Sequence, residues 1–334
     1  DSLSSTKDNS INQFAQKKKF FLNAEHNNSN INNKNLNIIN PSKANLNTNN
    51  EINKKQKITF PDQSTYEGYL KNNEFEGYGE YKTKTYNYVG NFVGGKKNGQ
   101  GKLEDFLKNS EYIGEFKNNM KDGYGEEKYR DGSIYKGDFR QDLKHGKGVL
   151  LLQGNGNYGY EGEFKNDKIS GRGKFKWNDR KEYIGDWDNN EICGYGIILE
   201  GKMRHIGYFM HDLKEGFGAT FYVDQNFALV GKWENDLIEG PAILINLLEN
   251  NSNENIQESH NNSNNLNFDI NNEIIVGMCK GEIINMSLEE EDLYKFKNGK
   301  DYQEMTKLYK DKFFPDYLKY INTNNTSQTE KNIH

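Results

Sequence analysis

No window of the chain approaches the roughly 18–20 consecutive apolar residues of a membrane-spanning helix, and the first thirty residues hold no apolar signal core. Cysteine is nearly absent. Cys193 and Cys279 stand far apart without a C-x-x-C partner, which argues against a disulfide framework and for a reducing compartment. There is no basic excess: the formal net charge is -5, the wrong sign for a phosphate-neutralising surface, so nucleic acid is not an expected partner. Aliphatic residues are also scarce, the apolar share being 33% in 334 residues where a compact globule would be nearer half. What compensates is aromatic. With 21 Tyr and 19 Phe, large areas can be buried with few aliphatic neighbours. The chain reads as soluble and intracellular, with a thin, elongated fold rather than a deep centre.

Residues 1–57 hold 16 Asn, and nine Lys against four acids, with few large apolar groups, so this segment is expected to be disordered alone. One stretch differs. In "FAQKKKFFLN", Lys17, Lys18 and Lys19 precede Phe20 and Phe21, which gives either a solvated basic run or an anchor that orders on a partner.

From Ile58 a period appears. Eight segments align without gaps, beginning at Tyr66, Tyr88, Tyr112, Tyr135, Tyr160, Tyr183, His205 and Leu229, with starts 22 to 25 residues apart. "YIGEFKNNMKDGYG" from Tyr112 and "YKGDFRQDLKHGKG" from Tyr135 show the pattern Y-x-G-x-[FW]-x6-G-x-G. This pattern resembles the MORN repeat, the membrane occupation and recognition nexus module, over about residues 58–285. Departures are His205 and Leu229 at the tyrosine position, Leu70 at the aromatic position and Pro241-Ala242 at the end of the last copy.

Between each G-x-G and the next tyrosine lie two extended runs around a turn signal, such as Asp131-Gly132, so one repeat reads as one β-hairpin plus a return loop. Residues i, i+2 and i+4 of a strand share a face, which puts Tyr135, Gly137 and Phe139 on one side. The intervening glycine is expected to leave bare backbone for rings of the neighbouring hairpin, and Gly146 and Gly148 to permit the tight return. Nine hairpins follow, from Ile58–Gly68 to a last pair, 242–248 with 273–279, whose tip is an Asn-rich insertion at 249–272 expected to be disordered. The fold class is thus mainly β: an elongated single-layer antiparallel hairpin solenoid with a short C-terminal helical segment at 286–321 and a disordered tail at 322–334. In that segment Ser287 and Glu290 form a capping box, Asn298-Gly299 a stop, and Tyr302, Met305, Leu308, Tyr309 and Phe313 an apolar stripe ended by Pro315. The helix is expected to cover the open end of the solenoid or to bind a partner.

"GNGNYGYEGEF" contains a literal G-x-G-x-x-G at Gly154, Gly156 and Gly159, but no helix is expected after it, so it reads as an enlarged hairpin tip rather than a phosphate loop. None of the six histidines has a partner at metal-site spacing. No catalytic set, cofactor site or metal site is expected, and the segments outside the repeats are too short for the kinase or methyltransferase domains that accompany some MORN repeats. The chain is not expected to be an enzyme.

A one-layer sheet is expected to leave open a row of rings, Tyr66, Tyr88, Phe92, Tyr112, Phe116, Tyr135, Phe139, Tyr160, Phe164, Tyr183, Trp187, Phe209 and Trp233, as a partner-binding face. Lys96, Lys97, Lys121, Lys144, Lys168 and Lys214 recur at comparable loop positions as a conceivable basic edge, nearly neutralised by Asp122, Asp142, Asp167, Glu191, Asp212 and Asp236. The resemblance implies a non-catalytic scaffold for protein partners. The Asn, Lys, Ile and Tyr enrichment suggests an A/T-rich protist genome, where similar proteins occur in ciliary axonemes, notably radial spokes, and in cytoskeletal rings. The expected location is cytoplasmic and cytoskeletal, in a cilium. A homodimer, and a cortical or basal-complex scaffold held on phosphoinositide or other anionic lipid, are the alternatives left open.

Overall fold

The computed structural model describes residues 54–152, 158–247, 273–279, 282–285 and 290–319. The expectations for residues 1–53, the 249–272 insertion, the Ser287 cap and the tail from 322 fall outside them. The chain divides into two compact units, residues 1–176 with 187–190, and residues 177–186 with 191–334.

In the first unit, strands follow one another as an antiparallel meander. Gln56–Thr59 pairs with Thr65–Lys71, two residues ahead of the expected start, and the pairing continues strand by strand to Gly159–Lys165 and Lys168–Asn178. In the second unit, Glu191–Glu200, Met203–Met210, Leu213–Tyr222, Phe227–Glu234 and Gly240–Asn246 pair in the same order. Gly240–Asn246 then pairs with Glu273–Cys279 across the insertion, as the sequence predicts. Leu151 pairs with Gly159 and the chain re-enters a strand there, so no helix follows the G-x-G-x-x-G; the expected enlarged tip, residues 153–157, lies outside the described residues.

The return after each Y-x-G-x-F is a two-residue turn, tighter than most of the hairpin tips. Asn118 and Asn119, Asn166 and Asp167, and Asn235 and Asp236 all have positive φ, the signature of two-residue type I′ turns matched to strand twist. Contrary to the expectation for Gly146 and Gly148, the G-x-G glycines therefore do not make the return; they lie inside strands. Gly146, at φ +63°, sits where the ladder shifts register between Gly137 and Phe139, a bulge that a side chain would strain. Gly148 lies beneath a ring, and a Cβ there would stand 2.5 Å from the Tyr135 hydroxyl oxygen. The ring over Gly137 belongs to Tyr135 of the same hairpin and not to a neighbour, and the same ring reaches across the return to cover Gly148 on the first strand of the next hairpin.

The C-terminal segment contains helices Glu290–Lys297 and Lys300–Leu308, then a π-helical turn Tyr309–Phe313 and further helix to residue 319. Pro315 does not end it. Proline lacks an N–H and crowds the carbonyl four residues back, here Asp311, which lies in the π turn where bonding has shifted to i→i+5. Continuing the helix buries Met305, Tyr309, Phe313 and Tyr317, one residue per turn. These side chains pack on Ile206, Ala219, Phe221, Ala228, Val230, Ile243 and Ile245. The segment thus covers a sheet face of the second unit rather than a strand edge at the end.

Candidate interaction surfaces

The thirteen rings expected to form an open docking face are interior, none more than 5% exposed. A single layer hides them because each tyrosine folds over glycine and each Phe or Trp fills the gap between tyrosines. From Tyr88 to Trp187 the rings alternate edge-to-face at 5.0–5.5 Å between centroids: Tyr88–Phe116–Tyr112–Phe139–Tyr135–Phe164–Tyr160–Trp187. In the second unit Phe209 meets Tyr183 at 5.3 Å and His205 at 5.5 Å, and His205 meets Trp233 at 4.8 Å. Such contacts add about 0.5–1.5 kcal/mol per pair beyond area. The expectation is therefore corrected: these residues are core, and a partner cannot touch them without unfolding the repeat.

Their polar ends are also engaged. The hydroxyls of Tyr66, Tyr88, Tyr112, Tyr135, Tyr160 and Tyr183 each donate to the carbonyl three residues ahead, at 2.8–3.1 Å. Burial pushes Tyr66 up to about 12 and Tyr88, Tyr112, Tyr135 and Tyr160 higher still.

The expected basic edge is mostly turned inward. Lys97 is buried, its ammonium 4.7 Å from the Tyr86 centroid and 5.4 Å from that of Tyr88, and desolvation pulls its pKa down to about 8 against the opposing pull of Asp142. Lys121 lies over Tyr112 at 4.9 Å and pairs with Glu127, Lys144 over Tyr135 at 5.6 Å, and Lys214 over Trp233 at 4.7 Å. Phe75, Ile169, Ile192 and Ile238 hold the equivalent position in the other repeats and are likewise buried. The lysine stems close the end of the ring ladder.

The interleaved acids have a structural use that charge counting missed. Oδ1 of Asn119, Asp142, Asp167, Asn190, Asp212 and Asp236 accepts the backbone N–H of the residue at the lysine position one repeat earlier, at 2.7–2.8 Å. The backbone N–H of the same residue donates back to that position's carbonyl, as from Asp142 to Lys121 at 2.9 Å. Each turn is thereby tied to the preceding one.

His205 takes the tyrosine position, its Nδ1 2.9 Å from the Thr220 hydroxyl, and desolvation drives its pKa well below the usual value. His145 lies in a strand, and His211 lies in a turn with its Nδ1 2.8 Å from Glu191. Among the described residues no three His, Cys, Asp or Glu side chains are grouped to hold a metal ion, and no helix is long and apolar enough to cross a membrane. Lys17–Phe21 lies outside them.

What remains accessible is the opposite sheet face. In the first unit it carries Tyr78 and Tyr124, 55% and 59% exposed, and Ile113, 49% exposed, amid ion pairs such as Lys102–Glu111 and Lys136–Glu126. In the second unit the same face is apolar and covered by the helix.

The MORN repeat model matches residues 66–87, 88–105, 112–134, 135–156, 160–181 and 183–199. The family model thus finds six MORN repeats within residues 66–199. The segments from His205 and Leu229 lie beyond the matched residues yet keep the strand pairing of a MORN repeat. His205 replaces the tyrosine over Gly207 and Gly218, and above Gly231 the space is filled by Ile238 instead of a ring. No curated protein matches the chain. Among solved structures it is similar to the SAS-4 (dCPAP) TCP domain in complex with a proline-rich motif of Ana2 (dSTIL) of Drosophila melanogaster, at 12% identity, over 60% of this chain and 89% of that one, with a TM-score of 0.22. MORN repeats suggest a scaffold or binding role.

Proposed function

We propose that the protein is a non-catalytic scaffold whose outward sheet face holds partner proteins in a ciliary axoneme, in an assembly such as a radial spoke. The observation that carries the binding reading is the division of labour between faces: the repeat-defining rings are spent on the fold, while Tyr78, Ile113 and Tyr124 stand exposed on the other side. Exposed tyrosines in a polar surround supply rigid, amphipathic contact area. The axonemal setting rests on family analogy alone.

The test is fractionation of the tagged protein. It should stay with detergent-extracted axonemes, and Tyr78→Ser should release it without lowering its melting temperature. Phe116→Ser should instead unfold it. Loss into the detergent phase, with salt-sensitive sedimentation on phosphoinositide vesicles, would overturn the scaffold reading.

A further inference from the structure

Three tyrosines, Tyr78, Tyr124 and Tyr195, stand at the centre of a G-x-G on the outward face, and Tyr195 and Tyr124 are in different states. Tyr195, between Gly194 and Gly196, is occupied. The Lys312 ammonium lies 3.6 Å from its ring centroid, Phe313 stacks on it at 6.3 Å and 13°, and its hydroxyl donates to Asp316 at 2.7 Å. Lys312 also reaches Tyr208, donating to its hydroxyl at 3.3 Å, and Phe314 stacks on Phe221 at 6.5 Å. The docking element of the helix is thus Lys312-Phe313-Phe314. Phe-Phe occurs twice in the whole chain, both times after lysine; the other copy is Lys19-Phe20-Phe21.

Tyr124, between Gly123 and Gly125, holds the repeat position of Tyr195, but its ring is 59% exposed. Asp138 is its direct cross-strand partner, and Glu115 accepts its N–H at 3.3 Å. Asp138 accepts the Lys147 N–H at 3.2 Å, and neither carboxylate forms an ion pair among the described residues. Where Tyr195 faces Tyr208, Tyr124 faces an unpaired aspartate, so this receptor is acidic and suits several cations. An ammonium over a tyrosine flanked by carboxylates gains from ring and charge together. Ile113, on the adjoining strand, adds exposed apolar area.

Reach is no obstacle. The 33 residues from Phe21 to Lys54 can span up to about 110 Å. The Tyr124 strand is six strands from Gln56–Thr59, roughly 29 Å away.

We propose that Lys17–Phe21 docks on the outward face of its own chain at Tyr124, with Lys19 over the ring between Glu115 and Asp138 and Phe20-Phe21 against the Ile113 side. Docking there covers Tyr124 and Ile113, two residues of the proposed partner face, and leaves Tyr78 open; a link formed within one chain reads this contact and needs no partner.

The test uses the full chain with a benzophenone amino acid replacing Phe21. Photolysis should link it, within one chain, to peptides containing Ile113 or Tyr124. Glu115→Lys with Asp138→Lys should cut that yield roughly 3- to 10-fold, the range expected for a cation–π contact. Adding Lys17→Glu, Lys18→Glu and Lys19→Glu to that variant should restore it, with both variants folded and melting at the same temperature as each other. Links scattered along the chain, links to the Tyr195 region, links only between two chains, or a yield indifferent to charge reversal would each overturn the proposal.

Discussion

At the residue scale, Lys97 shows a side chain held against its own preference. Below about pH 8 it is charged both folded and unfolded, and the full desolvation penalty weighs on the folded state. Between about pH 8 and 10.5 the folded protein has released that proton while the unfolded chain keeps it, so stability rises with pH across this window. Above pH 10 the tyrosines reverse the trend. The unfolded chain ionises them near 10.0, whereas the folded one resists because burial has raised them, so stability falls. Denaturant midpoints measured against pH should peak between about 8 and 10. Lys97→Ile, which installs the residue found at Ile169 and Ile192, should flatten the rise and stabilise the protein near neutrality by about 1–3 kcal/mol. His205 acts on the acid side. The unfolded ring binds a proton near 6.5 that the buried ring refuses, so stability should decline as pH falls below that value, and His205→Gln should remove this component from the midpoint curve.

At the scale of elements, the turn tie can be cut selectively. Asp142→Ala leaves the Lys121 N–H without its side-chain acceptor, and chemical denaturation should show a loss of about 1–3 kcal/mol, whereas Asp142→Asn, the residue type at Asn119 and Asn190, should lose far less. The C-terminal helix offers a contrast. Phe313→Ser should detach it, read as faster hydrogen exchange over residues 300–319 with the strand amides of the first unit unchanged.

The strands, their order and the long-range closing pair Gly240–Asn246 with Glu273–Cys279 were legible because a 22- to 25-residue period fixes them. The burial of the rings was not. Pattern alone says that Tyr135, Gly137 and Phe139 share a face, but not that the Tyr135 ring bends forward over its own glycine and closes that face. Two signals stood in the aligned copies unread. The second position after each turn is lysine in four copies and Phe or Ile in four, which marks it as interior, and the second turn residue is Asn or Asp in seven of eight, more than φ alone requires. The seat of the helix was not written there: the residue after the repeat tyrosine is apolar at Ile206 and Val230 but also at Val89 and Ile113.

At the scale of the whole molecule, the proposed binding and the folding draw on different faces, so they should separate under mutation. Substitutions of Phe116, Phe139 or Phe164 should lower the melting temperature and abolish partner capture together. Tyr78→Ser should reduce capture at an unchanged melting temperature, because its ring is 55% exposed. Thermal melts run beside partner pull-downs check both, and a Phe139→Ser variant that stays folded yet loses partners would restore the open-ring view that the structure sets aside.

The alternation Tyr88–Phe116–Tyr112–Phe139–Tyr135 makes no use of what distinguishes one repeat from the next. Excising residues 112–134 would set Phe139 against Tyr88 in the seat Phe116 had held, and Asp142 against Lys97 in the seat of Asn119. Such a shortened chain should still fold cooperatively. The gene can therefore lengthen or shorten by unequal recombination in whole steps without inventing a new interface, and reach becomes a heritable variable decoupled from chemistry.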